Sequence, residues 1–232
     1  MVDLSPRLEQ LSVFVPRGSI VADIGTDHAF LPIYLVQRGL VSRVIAGEIN
    51  DGPYRLACQR VRERGLNAQI EVRKGDGLQI LTPNEVDTAI IAGMGGRNII
   101  DILCAYPGAT DSICRFILQP MSEADVLRLW LSRHYFRIVD EALVREKGHI
   151  YEVIVAEHGL ETSGGEAVVT LGPKLVANRH PLLSEHLDVL IRRRRSILAQ
   201  MEKLANPTAP NYKRLRRLKT HLKQLEEIRK CL

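Results

Sequence analysis

Between Ser19 and Leu118, short runs rich in Val, Ile and Ala alternate with stretches whose apolar residues recur every three or four positions. Strands repeat with a period of two and helices with 3.6, so this alternation prescribes a parallel sheet covered by its own crossover helices. Strands are expected near Ser19–Ile24, Arg43–Ile49, Gln69–Arg73, Val86–Ala92 and Cys114–Leu118. Helices should occupy Pro32–Arg38, Gly52–Arg64, Arg97–Tyr106 and Glu123–His134. The pattern then changes: Phe136–Val144 and His149–Glu157 read as two strands joined by Arg145-Glu146-Lys147-Gly148, an antiparallel hairpin that closes the α/β sheet.

At 232 residues the chain is longer than this sheet needs. A less periodic, Gly- and Pro-containing bridge covers 161–183. Beyond it, Ser184–Leu204 carries Leu187, Leu190, Ile191, Leu198, Met201 and Leu204 on one stripe, and Asn211–Lys230 carries Leu215, Leu218, Leu222 and Leu225 at three-four spacing. Asn206-Pro207-Thr208-Ala209-Pro210-Asn211 should interrupt them, giving an antiparallel two-helix hairpin with a coiled-coil-like seam. The expected division is 1–160, 161–183 and 184–232. Charge follows it: Met1–Leu183 holds 19 basic and 22 acidic residues, whereas Ser184–Leu232 holds 13 and 5. A basic tail on a near-neutral body points to a polyanionic partner.

No apolar run approaches the eighteen or so residues of a membrane span, and Met1-Val2-Asp3-Leu4-Ser5-Pro6-Arg7 lacks a signal-peptide pattern, so a cytoplasmic protein with no membrane partner is expected. Cys58, Cys104, Cys114 and Cys231 are scattered and read as reduced thiols, mostly core filler; no metal site is expected. No protein partner is evident, and a monomer is favoured.

The turn after the first strand is where such sheets hold a nucleotide, and Asp23-Ile24-Gly25-Thr26 opens that turn. A dinucleotide pattern would place two further glycines where this chain has Asp27 and Ala29. A pyrophosphate would meet the Asp27 carboxylate, whereas S-adenosyl-L-methionine has no phosphate and carries a sulfonium cation. Glu48, followed by Ile49 and Asn50, ends the second strand where an acid can accept both ribose hydroxyls. Asp76 and Gly77 follow the third strand, with the Asp76 carboxylate placed for an adenine amino group. Ala92, Gly93 and Met94 end the fourth, on the cofactor crevice. The Asp/Asn-Pro-Pro-aromatic sequence usual for exocyclic amine methylation is absent there. A nicotinamide-dependent oxidoreductase is disfavoured by the broken glycine pattern, and a non-catalytic RNA-binding protein by the retained acids and glycines.

The strings Asp23-Ile24-Gly25-Thr26-Asp27-His28-Ala29-Phe30-Leu31-Pro32, Ala46-Gly47-Glu48, Arg73-Lys74-Gly75-Asp76-Gly77-Leu78 and Ile91-Ala92-Gly93-Met94-Gly95-Gly96 together resemble the bacterial TrmK family, tRNA adenine-N1 methyltransferases acting on adenine 22. The resemblance implies a Rossmann-like, seven-stranded class I methyltransferase domain followed by a two-helix coiled coil, with S-adenosyl-L-methionine as cofactor and tRNA as partner. Asp27 is then the candidate catalytic carboxylate, with His28 beside it and Phe30, where the family would have Tyr, shaping the base pocket. Arg192, Arg193, Arg194 and Arg195, with Lys213, Arg214, Arg216, Arg217 and Lys219, are the candidate phosphate contacts.

Overall fold

The run Ile20–Ile24 forms β1 and is buried along almost its whole length, as a strand covered on both faces must be, with Asp23 its one polar residue. In the computed structural model, which describes residues 2–162, 165–203 and 209–231, it lies third in a seven-stranded sheet. The other strands are β2 (Arg43–Glu48), β3 (Ile70–Lys74), β4 (Thr88–Gly95), β5 (Arg115–Ser122), β6 (Phe136–Glu146) and β7 (His149–His158). Their order is β3-β2-β1-β4-β5-β7-β6. The first five are parallel, and β7 runs antiparallel to both β5 and β6. The chain steps outward from β1 to β3 and then crosses back to β4, which opens a crevice above the carboxyl ends of β1 and β4.

Helices α1 (Pro6–Val13), α2 (Phe30–Gln37), α3 (Asp51–Glu63), α4 (Gly96–Ala105), α5 (Pro107–Thr110) and α6 (Ala124–Arg133) accompany the sheet. Two buried apolar clusters result, one around Ile91, Ile99, Phe116 and Leu127 and the other around Leu11, Ile33, Val44 and Ile90. Gly77–Ile80 adds one 3-10 turn after β3. The hairpin turns on Lys147 and Gly148, at φ 49° and 79°, a two-residue turn whose twist matches its strands.

Strand ends, cysteine burial and the place of Pro210 need correction. The fourth and fifth strands run on to Gly95 and Ser122, because Gly93 at φ 78° and bulges at Met94 carry pairing past Ala92. The cysteines do not fill the core: Cys104, Cys114 and Cys231 are exposed and Cys58 is half-buried, since α4 turns Ile99 and Leu103 inward and Cys104 outward. Pro210 does not break a helix; it stands in the first turn of the last one, where its missing N–H would have no intrahelical partner.

Residues Met1–Thr162 and Ser163–Leu232 are two compact units. The second contains α7 (Glu166–Leu171), α8 (Pro173–Ala177), α9 (Leu183–Lys203) and α10 (Ala209–Lys230), so its first part is helical rather than an irregular bridge. Leu187, Ile191, Leu222 and Leu225 are buried in the α9–α10 hairpin. Ion pairs Asp188–Arg229, Arg195–Glu226 and Glu202–Lys219 step along it with opposite chain directions. Leu204 and Asn206–Thr208 lie outside the described residues.

Candidate active site

Immediately after β1 the backbone turns left-handed three times: Gly25, Asp27 and Ala29 have φ of 74°, 53° and 54°. The chain therefore keeps the glycine conformations of a nucleotide-binding turn at two positions that have lost the glycine. Each such residue costs roughly 1–3 kcal/mol and persists only where its surroundings enforce it. Here the N–H groups of Gly25 and Thr26 both donate to the Gly47 carbonyl at 2.9 Å, and that of Ala29 donates to the Thr26 carbonyl at 3.0 Å. The Asp27 N–H donates to Glu48 Oε2 at 3.2 Å.

Carboxylates stand on three successive strand ends. Asp23 is buried and accepts a hydrogen bond from the Thr26 hydroxyl; burial, partly offset by that bond and reinforced by nearby Glu48, pushes its pKa up to about 6. Glu48, also buried, accepts the N–H of Asn50 at 2.9 Å and its side-chain amide at 3.0 Å through Oε1. Asp76 stands exposed at the N-cap of the 3-10 turn. Around Glu48 and Asp76 lies a cavity of about 260 Å³, bounded by Ile24, Gly25, Ile49, Gly77 and Met94 among the predicted residues. Asp23 and Thr26 stand behind that wall, Asn50 steadies Glu48, and Ala92 and Gly93 lie beyond the lining.

Asn98, Asp101 and Ile102, on the first turns of α4, also line the cavity and were not anticipated. Their only sequence signal was the polar pair at three-residue spacing just after a glycine string. The glycines keep the space open: a Cβ on Gly25 would lie 2.5 Å from Met94 Cε, and side-chain atoms on Gly47 or Gly75 would collide with Ile80.

At the rim, the Asp27 side chain is 64% exposed and its Oδ2 lies 3.5 Å from His28 Nε2. His28 Nδ1 is buried and has no hydrogen-bond partner among the described residues. Phe30 meets the His28 ring edge-on at 5.7 Å, and the Arg60 guanidinium covers one of its faces at 4.3 Å. In the second unit, Arg192, Arg193 and Arg216 are exposed, whereas Arg195 and Lys219 are tied to Glu226 and Glu202. Arg194 is half-buried, and the side chains of Lys213, Arg214 and Arg217 lie outside the described residues.

No Lys or Arg lines the cavity among the described residues, whereas Glu48, Asp76 and Asp101 do, a lining that repels a pyrophosphate and suits an adenosine bearing a positive charge. Fold and site together are those of a class I methyltransferase. Residues 21–227 match the TrmK family model, tRNA (adenine(22)-N(1))-methyltransferase, and the chain belongs to that family. It is similar to the Bacillus subtilis tRNA (adenine(22)-N(1))-methyltransferase, 36% identical over 97% of this chain and 96% of that protein. The crystal structure of the B. subtilis M1A22 tRNA methyltransferase TrmK superposes with a TM-score of 0.90, covering 98% of this chain and 99% of that one at 36% identity. Streptococcus pneumoniae Sp1610 in complex with S-adenosyl-L-methionine gives 0.85 at 34% identity, covering 97% and 99%.

Proposed function

We propose that this chain transfers the methyl group of S-adenosyl-L-methionine to N1 of adenine 22 in tRNA. The observation that carries this reading is a cavity lined by the carboxylates Glu48, Asp76 and Asp101, with Asp23 buried nearby, and by no Lys or Arg among the described residues. These residues fit the cofactor: Glu48 would hold the ribose hydroxyls and Asp76 the adenine amino group, while Asp23, buried and outside the lining, would add negative charge toward the cationic end. Bound there, the cofactor supplies an electrophilic methyl group on a sulfonium.

The protein's remaining task is placement. Adenine N1 already carries a lone pair at neutral pH, so the site must hold it in line and dry. Methylation makes the ring cationic, and the exposed carboxylate of Asp27 stabilises that charge or accepts the adenine amino N–H. His28 and Phe30 form the wall behind it. Extruding a base from folded RNA costs a few kcal/mol. The exposed arginines of α9 and α10 supply phosphate contacts toward that cost.

The test is methyl transfer to purified tRNA with mapping of the modified base. Methyl-N1-adenine at position 22 supports the reading. Modification at another base, or none, overturns it.

A further inference from the structure

In the sheet, β4 separates the cofactor cavity, on its β1 side, from a second arrangement on its β5 side. Arg7 of α1 donates from Nη1 to Gln119 Oε1 at 2.6 Å, and the same oxygen accepts the N–H of Gly93 at 3.2 Å. Gln119 is fully buried, and its Nε2 donates to the Pro120 carbonyl at 3.0 Å, which fixes which end of the amide faces Arg7. The backbone N–H of Arg7 donates to Glu146 Oε2 at 2.9 Å, and the guanidinium lies 5.8 Å from the centre of the Tyr151 ring. Its Nη1 is 4.0 Å from where a Cβ on the exposed Gly93 would stand.

A guanidinium has five N–H donors, and this one commits a single nitrogen. Its Nε and Nη2 donate to nothing among the described residues, and it forms no ion pair there. The group that orients it is a neutral amide; against burial, which raises it, the Arg7 backbone N–H and this charge help to hold the Glu146 carboxyl below the usual carboxylate range, without an ion pair. Glu146, the nearby acid, is bonded to its backbone instead.

Resting on the tRNA reading above, we infer that Arg7 grips a phosphate flanking the extruded adenosine, and that Gln119 is the residue that positions it. A bare cation beside a ring that becomes cationic would raise the barrier, whereas one neutralised by phosphate would not. The nucleotide brings that phosphate with it, and a guanidinium binds it with two parallel N–H bonds where an ammonium cannot. A contact at the target nucleotide itself complements those of the basic hairpin, because it acts only once the base has left its stack.

The test measures methylation at saturating S-adenosyl-L-methionine while tRNA and salt are varied. Arg7→Gln raises the tRNA KM by about tenfold and lowers the slope of log KM against log salt by roughly 0.7–0.9, the value of one phosphate contact. Arg7→Lys restores the slope but only part of the KM. Gln119→Glu keeps an acceptor against Arg7 but neutralises it, and lowers the slope as Arg7→Gln does. Cofactor affinity by calorimetry stays at the parent value in all three. An active parent enzyme whose Arg7→Gln variant keeps KM and slope, or loses only thermal stability, overturns the inference. A parent enzyme that transfers no methyl group to tRNA overturns the function instead.

Discussion

Thr26 donates a 2.6 Å hydrogen bond to Asp23, three residues before it, and so ties the first turn of the site to a carboxylate the fold has buried. The pKa of that carboxylate rises from 3.8 to about 6 on folding. The folded state therefore holds its proton more tightly than the unfolded one; the resulting stability is complete below about pH 4 and is lost as pH rises through 6. Asp23→Asn should raise the melting temperature of the cofactor-free protein at pH 8 and leave it unchanged at pH 4. Cofactor affinity of the parent should fall as pH drops through 6, and the variant should bind weakly without that inflection. Calorimetry across this range decides it; a variant with parental affinity at pH 8 removes Asp23 from cofactor binding.

Glu48 accepts N–H groups on both carboxylate oxygens, so an amide in its place would turn a donor toward a donor. Glu48→Gln is expected to weaken S-adenosyl-L-methionine binding at least about tenfold, roughly 1.4 kcal/mol, and Glu48→Ala more. Isothermal titration checks the order, and Glu48→Gln binding as tightly as the parent contradicts it.

Asp27 uses its backbone to hold the turn and leaves its side chain exposed. Both Asp27→Ala and Asp27→Asn should lose most turnover, on the order of a hundredfold or more, while retaining cofactor affinity. Full kcat in either variant removes Asp27 from the chemistry.

Glycine positions separate packing from backbone freedom. A Cβ on Gly96 would strike the Glu123 carbonyl, a backbone atom that cannot rotate away, so Gly96→Ala should cost about 1–3 kcal/mol. Gly108, exposed in α5, meets only Pro83 Cγ at 3.6 Å, an ordinary contact, and has no positive φ, so Gly108→Ala should gain about 0.4–1 kcal/mol. Denaturant titration of both variants reads the contrast; equal effects would refute it.

In the hairpin, structure divides residues that composition lumped together. Arg192→Gln with Arg193→Gln should lower the salt dependence of tRNA binding by up to about 0.9 for each phosphate no longer neutralised. Arg195→Gln breaks a surface pair with Glu226 and should change stability by less than about 1 kcal/mol. Filter binding over a salt series distinguishes them.

The order of strands and helices was legible because period two and period 3.6 differ within a dozen residues. Asp23, Glu48 and Asp76 were legible as acids at strand ends. The ends themselves were not: pairing through Gly93 to Gly95 depends on a left-handed glycine and bulges, which leave no apolar period. Helix α1 was not anticipated, because at eight residues it offers barely two turns of pattern. The Arg7–Gln119 bond spans 112 positions, and no local spacing encodes it.

Gln119 collects partners from α1 and β4, while the hairpin that holds α1 in place begins only at Phe136. A nascent chain that has emerged through β4 already contains the three carboxylates of the cofactor side. It has no Gln119 to aim Arg7 and no Glu146 to anchor its helix. The residues that aim and anchor Arg7 are thus made after the acids of the cofactor side, so the inferred phosphate grip is completed later in synthesis than Asp23, Glu48 and Asp76.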